Sequence, residues 1–156
     1  TFFLDSGSTT TTFARQIPDR SYLIYTTGLS CATEMANLSK PTVMLPGGQL
    51  NRYSQSVFGL STIRELERVN FDQAFLGVTG YHPSVGFSCG VSDEAMSKQT
   101  AIRRSEQVIA LMDSSKINVK CTFSFCSLSD IDIVVSDGKL PQEFLAECRK
   151  YGVQVL

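Results

Sequence analysis

What this 156-residue chain lacks already narrows its reading. No stretch approaches the roughly 20 consecutive apolar residues of a membrane span. No basic segment leads into an apolar run and a small-residue cleavage site, so no secretion signal is visible. A basic surplus is missing too: 14 Lys and Arg face 15 Asp and Glu, for a net charge of −1, and direct nucleic-acid binding by these residues is not expected. The chain has one histidine, five cysteines and no Cys-x-x-Cys pair. That pattern speaks against a zinc set and against a disulfide framework. Cys31, Cys89, Cys121, Cys126 and Cys148 are therefore expected to be reduced and mostly structural. Neither GxxxxGK[ST] nor GxGxxG occurs, which leaves a P-loop and a dinucleotide fold without their fingerprints. The expectation is one soluble, cytoplasmic domain without metal or cofactor. Thr1 is not a methionine and stands inside a strand-like run, so the chain reads as a piece whose natural N-terminal part has been removed.

The residues present alternate between two patterns. Apolar runs recur at Phe2–Leu4, Tyr22–Tyr25, Thr42–Leu45, Ala74–Val78, Val108–Met112, Ile131–Val135 and Val153–Leu156. Between most of them lie segments of helical character: Ser8–Gln16, Ser30–Leu38, Leu60–Val69, Ser92–Arg104 and Gln142–Tyr151. Pro18 and Pro41 follow the ends of the first two. Ile63, Leu66 and Val69 stand three apart on one face of the third, a core pattern. Pro141 opens the last, and Gly152 closes it. Strands alternating with helices predict βαβ units and a mostly parallel sheet covered on both faces.

In such sheets ligands sit beyond the carboxyl ends of the strands. Those ends read Asp5-Ser6-Gly7-Ser8-Thr9-Thr10, Thr26-Thr27-Gly28, Pro46-Gly47-Gly48-Gln49, Thr79-Gly80-Tyr81 and Asp113-Ser114-Ser115-Lys116. Five loops of small, hydroxylated or glycyl residues at one edge predict a single polar pocket. A helix N-terminus with unpaired N–H groups welcomes an anion. Gly7 lets the backbone approach a ligand, the hydroxyls of Ser6 and Ser8 to Thr10 add donors, and Lys116 supplies a point charge. The plainer alternative is that Ser8 is an N-cap followed by a solvated turn. Asp5 suits either a sugar hydroxyl or a cap on its own loop. His82 reads as a solvated loop residue.

The order FLDSGSTT, TTG, LPGG, FDQAFLGVTG, EAMSK, VIALMDSSK and LSDID closely resembles the C-terminal sensor domain of DeoR-type bacterial transcription repressors, from Phe2 to Leu156. The resemblance implies a three-layer Rossmann-like fold related to the ribose-5-phosphate isomerase and CoA-transferase-like class. It implies one domain over residues 1–156 that binds a phosphorylated sugar or sugar derivative. Operator DNA would be met only by a helix-turn-helix domain outside this sequence, in a homo-oligomer (dimer or tetramer) with no membrane contact. By matching position, Ser6 to Thr10 would hold the phosphate, while Asp5, Thr26, Thr27 and Gly28 would line the sugar. Gly47 and Gly48 would let a loop bearing Arg52 close over it. Lys98 and Lys116 would meet anionic or hydroxyl groups, with Thr79, Gly80 and Glu94 nearby. Glu94 lies four residues before Lys98, so a simple ion pair along the helix is an equal reading. The second strand is followed by Thr-Thr-Gly where many members read Thr-Asn-Ser, and Thr79 stands where many carry Asp. A related isomerase would need a placed carboxylate base. Thr79 and Lys98 do not supply one, so catalysis is the alternative rather than the expectation.

Overall fold

A computed structural model describes all of residues 1–156. In chain order its elements are β1 (Phe2–Leu4), α1 (Ser8–Ala14), β2 (Leu23–Thr26), α2 (Leu29–Met35), β3 (Thr42–Met44), β4 (Gln49–Asn51) and β5 (Ser56–Phe58). Then follow α3 (Leu60–Leu66), β6 (Phe71–Gly77), β7 (Gly80–His82), β8 (Gly86–Cys89), α4 (Ser92–Arg103) and β9 (Ser105–Leu111). The last are β10 (Phe123–Cys126), β11 (Ile133–Val135), α5 (Gln142–Tyr151) and β12 (Gln154–Val155). Each of the seven apolar runs contributes one strand to a seven-stranded sheet of order β12-β11-β9-β6-β1-β2-β3. All six pairings in it are parallel.

Alternation across the pleat divides the core in two. Phe2 and Leu4 of β1 pack with Ile24, Ala14 of α1, and Cys31 and Met35 of α2 on one face. Phe3 turns the other way, to join Ala74, Leu76, Val108 and Ala110 with Leu66 of α3, Ala101 of α4 and Phe144 of α5. Helices therefore cover both faces, and the fold class is the expected three-layer one. Ile63 and Leu66 are buried in α3, and Val69 packs against the larger core. Gly152 closes α5 in the left-handed region, at φ 74°. No helix is long and apolar enough to cross a membrane.

Two features depart from the strand–helix reading. Residues 49–58 form an antiparallel hairpin of β4 and β5. Residues 80–89 and 123–126 form a separate antiparallel sheet, β10-β8-β7, which packs Phe87 and Phe125 into the larger core. His82, expected in a loop, ends β7, and its Nδ1 accepts a hydrogen bond from the Ser84 amide at 3.1 Å.

The chain first runs outward from β1 through β2 to β3, then returns to the far side of β1 to lay down β6 and run outward again. Strand order thus reverses between β1 and β6. At that point the loops leave the sheet in opposite directions, and a crevice opens beyond the strand ends.

Candidate functional site

Asp5 leaves β1 at this crevice, and its position is tightly held. Its backbone N–H donates to the Phe75 carbonyl of β6 at 3.0 Å, while its Oδ2 accepts the Gly77 N–H at 3.0 Å. Gly7 then turns the chain at φ 136° and ψ 172° into α1, a conformation open to glycine and strained for other residues. The N-cap of α1 is this Gly7, not Ser8, and no side chain caps the helix. Three of the four threonine hydroxyls are committed backwards: Thr10 and Thr11 donate to the Gly7 carbonyl at 3.0 and 2.7 Å, and Thr12 to the Ser8 carbonyl at 3.1 Å. The first-turn amides are left without a side-chain cap.

A cleft of about 750 Å³ lies in front of them. Ser6, Gly7, Ser8, Thr9 and Thr10 line it, together with Gly28 from the second strand end, Thr79 from the fourth, Glu94 from the start of α4, and Lys116 from the fifth. Four of the five expected loops therefore meet in one polar pocket. Lys116 ends a short 3-10 turn that Asp113 caps by accepting the Ser115 N–H at 2.9 Å. The hydrogen bonds from Ser115 hold the Asp113 carboxyl below its usual range. Arg15, paired with Glu34 at 2.8 Å, brings a second cation to the same cleft.

Other expected residues lie elsewhere. The third strand end is not part of the cleft, because β3 is the edge strand, two strands away from β1. Gly48 is small for a packing reason: a Cβ there would stand 2.5 Å from the Phe58 carbonyl oxygen and 2.4 Å from Thr62 Oγ1. Gly47 and Arg52 also lie outside the lining, and the next three residues, Tyr53 to Gln55, take that place. The hairpin turn brings them there. Leu29 N–H donates to the Gln55 carbonyl and Val57 N–H to the Thr27 carbonyl, both at 2.8 Å. Gln55 itself sits at φ 50°. Gly80 likewise opens β7 rather than the pocket, with the Val119 carbonyl oxygen 2.6 Å from where its Cβ would be. Thr26 is buried and accepts the Gly28 N–H at 3.1 Å.

Lys98 is the largest departure from expectation. It lines neither the cleft nor the smaller space beside it. The whole side chain is buried, and its ammonium bonds Asp5 Oδ2, Glu94 Oε1 at 3.1 Å and the Gly77 carbonyl at 2.9 Å. Burial alone would pull this ammonium down, but Asp5 and Glu94 together hold it above the ordinary lysine value. Burial pushes the Asp5 carboxyl up, against the pull of Lys98. Glu94 serves both readings, since it pairs with Lys98 and lines the cleft.

Sequence reasoning missed Thr11, Thr12, Arg15, Ser30 and the hairpin tip as lining residues. The tip carried one signal: Asn51 is a turn-former, and its Oδ1 accepts the Tyr53 and Ser54 N–H groups at 2.9 and 3.3 Å. No three His, Cys, Asp or Glu side chains cluster closely enough to hold a metal ion, and all five thiols are free.

The model of the DeoR C terminal sensor domain matches residues 1–138. The HTH-type transcriptional regulator GlpR of Haloferax volcanii is 32% identical over 99% of this chain and 60% of its own length. The HTH-type transcriptional repressor GlcR of Bacillus subtilis is 26% identical over 98% of this chain and 59% of its own. The chain thus spans about three-fifths of these relatives. Among solved structures, eIF2B beta from Chaetomium thermophilum superposes with a TM-score of 0.52 at 12% identity, over 85% of this chain and 42% of that one. That likeness concerns the fold alone and fits the ribose-5-phosphate isomerase-like class.

Proposed function

This chain belongs to the DeoR C-terminal sensor domain family, and we propose that its cleft binds a phosphorylated sugar or sugar derivative that controls a transcription repressor. The observation that carries the reading is the uncapped first turn of α1, reached through Gly7, in one cleft that Lys116 and Arg15 also line. Open amides at a helix start and two cations suit a phosphate dianion. Ser6 to Thr10 and Lys116 hold the phosphate in this reading, and Asp5, Thr27, Gly28, Thr79 and Glu94 surround the rest of the ligand.

The relatives are named HTH-type regulators and extend well beyond the region matched here. A helix-turn-helix segment outside this sequence would contact operator DNA in the cytoplasm, within a homo-oligomer. The ligand alters DNA binding only by preferring one of two states of the whole protein. The element best placed to report occupancy is the β4–β5 hairpin, whose tip lines the cleft while its backbone is bonded to the start of α2.

A non-enzymatic role agrees with the relatives, which are regulators. Aldose–ketose isomerisation needs a free base beside the carbon that loses its proton. Thr79 has no such chemistry, Lys98 is sealed in its ion pairs, and the Glu94 carboxylate is held by Lys98.

Thermal unfolding against a panel of sugar phosphates, each beside its unphosphorylated parent, tests the proposal. A ligand at about 100 times its Kd should add roughly 2.7 kcal/mol of stability. Only phosphorylated members should shift the transition, and Lys116→Ala should abolish the shift. A panel without any shift, or one in which the parents act equally, would remove the phosphate cradle.

A further inference from the structure

Behind the main cleft lies a second, much smaller cavity of about 10 Å³, with room for one water-sized group. Ser6, Ser54 and Glu94 line both spaces, so the two are contiguous. Asp5 lines the small one. Its Oδ2 is occupied by Lys98 and Gly77, whereas its Oδ1 is fully buried and has no hydrogen-bond partner. A buried carboxylate oxygen left unpaired is costly unless something donates to it.

Resting on the sugar-phosphate reading above, we infer that this cavity is a hydroxyl subsite: a ligand hydroxyl near the phosphorylated end donates to Asp5 Oδ1, and phosphorylated acids are rejected. Charge supports this. Asp5, Asp93 and Glu94 stand around the cavity, and Lys98 is the cation paired with two of them, so the local balance is negative. A ligand carboxylate there would meet like charge with no donor of its own. Size supports it as well. A single hydroxyl oxygen matches a space of about one water. A hydroxyl also suits the neighbours better than an ammonium, because it can accept as well as donate. Thr27, Asn51 and Ser56 complete the polar cavity wall. The subsite lies close to the phosphate, since Asp5 precedes Ser8 by three residues, which span at most about 11 Å of extended chain.

Matched ligand pairs decide the matter on the unmodified protein. 2-Hydroxyethyl phosphate is compared with phosphoglycolate and, as a second pair, with ethyl phosphate, with inorganic phosphate as the reference, all by calorimetry. In each pair that binds, the hydroxyl member should bind at least about tenfold tighter, as expected for a hydrogen bond to a charged group. In a folded Asp5→Asn variant that ratio should fall toward one while inorganic phosphate binds as before. Equal affinity within the pairs overturns the subsite alone, as does an unchanged ratio in Asp5→Asn. Should neither inorganic phosphate nor any pair member bind, the phosphate reading beneath it falls too.

Discussion

Replacing Lys98 with methionine should destabilise the fold by about 3–5 kcal/mol, the usual consequence of removing one partner from a buried ion pair. Methionine keeps the length of the aliphatic stem and removes only the ammonium, which also lies 5.4 Å from the centre of the Phe125 ring, so the loss isolates the charge. Asp5, 1% exposed, would keep the Gly77 N–H as a donor but lose its only cation, and Glu94 would lose the same partner. The pH dependence carries the diagnosis. Burial already raises the Asp5 carboxyl, and Lys98 opposes that rise; without Lys98 the rise must grow. An acid whose folded pKa lies above its unfolded value favours the folded state as pH falls. The deficit of the variant should therefore shrink as pH falls from neutrality toward the ordinary carboxylate value of 3.8. In the unmodified protein the raised Lys98 pKa acts at the other end. Its contribution is complete below the ordinary lysine value of 10.5 and is lost as pH climbs through the higher folded value. Urea midpoints across pH, at constant slope, would measure both effects. A deficit below about 1 kcal/mol, or one that ignores pH, would mean that Asp5 is not an uncompensated buried charge.

The second large effect is expected at Gly86, at the turn between β7 and β8. Its φ is +74°, and a Cβ would stand 2.3 Å from the Cys126 carbonyl oxygen. The obstacle is backbone of β10, which is bonded to β8 around the irregularity between Ser124 and Cys126, so no rotamer change relieves it. Gly86→Ala should combine left-handed strain of about 1–2 kcal/mol with an overpacking penalty of about 1–3 kcal/mol. Gly90→Ala is the control: nothing stands within 4 Å of its Cβ position and its φ is not in the left-handed range, so a change within about 0.5 kcal/mol is expected. Denaturant unfolding of the two variants side by side checks the pair. Similar losses would show that the small sheet does not press on Gly86.

The major sheet was legible in the sequence because burial on both faces leaves continuous apolar runs. VIAL before Met112 and AFLG before Val78 are readable without any partner strand. The five helices were readable from apolar spacing, end charges and breakers, although the Ser8 cap read for α1 is absent and some ends shifted by a few residues, as at Ser8–Ala14 against Ser8–Gln16. The two antiparallel pieces were not. Their strands are three or four residues long, and in QLN, GYH and GFSC neither alternation nor a long apolar run separates strand from loop.

The site divides in the same way. Chain order alone brings Asp5 to Thr10, Thr79 and Lys116 to one edge, because parallel strands all end on the same side. The sequence by itself thus determined the layers, the polar edge and the hydroxyl-rich turn at the mouth of β1. Only the tertiary structure decided which groups at that edge are free. Strand order placed the end of β3 away from the crevice and let the hairpin bring Tyr53 to Gln55 into its place. The packing of α4 against β6 and β9 brought Lys98 to Asp5, turning an expected ligand contact into a buried ion pair. Whether a lysine faces solvent or a carboxylate depends on distances between segments 93 residues apart, and no local pattern encodes those.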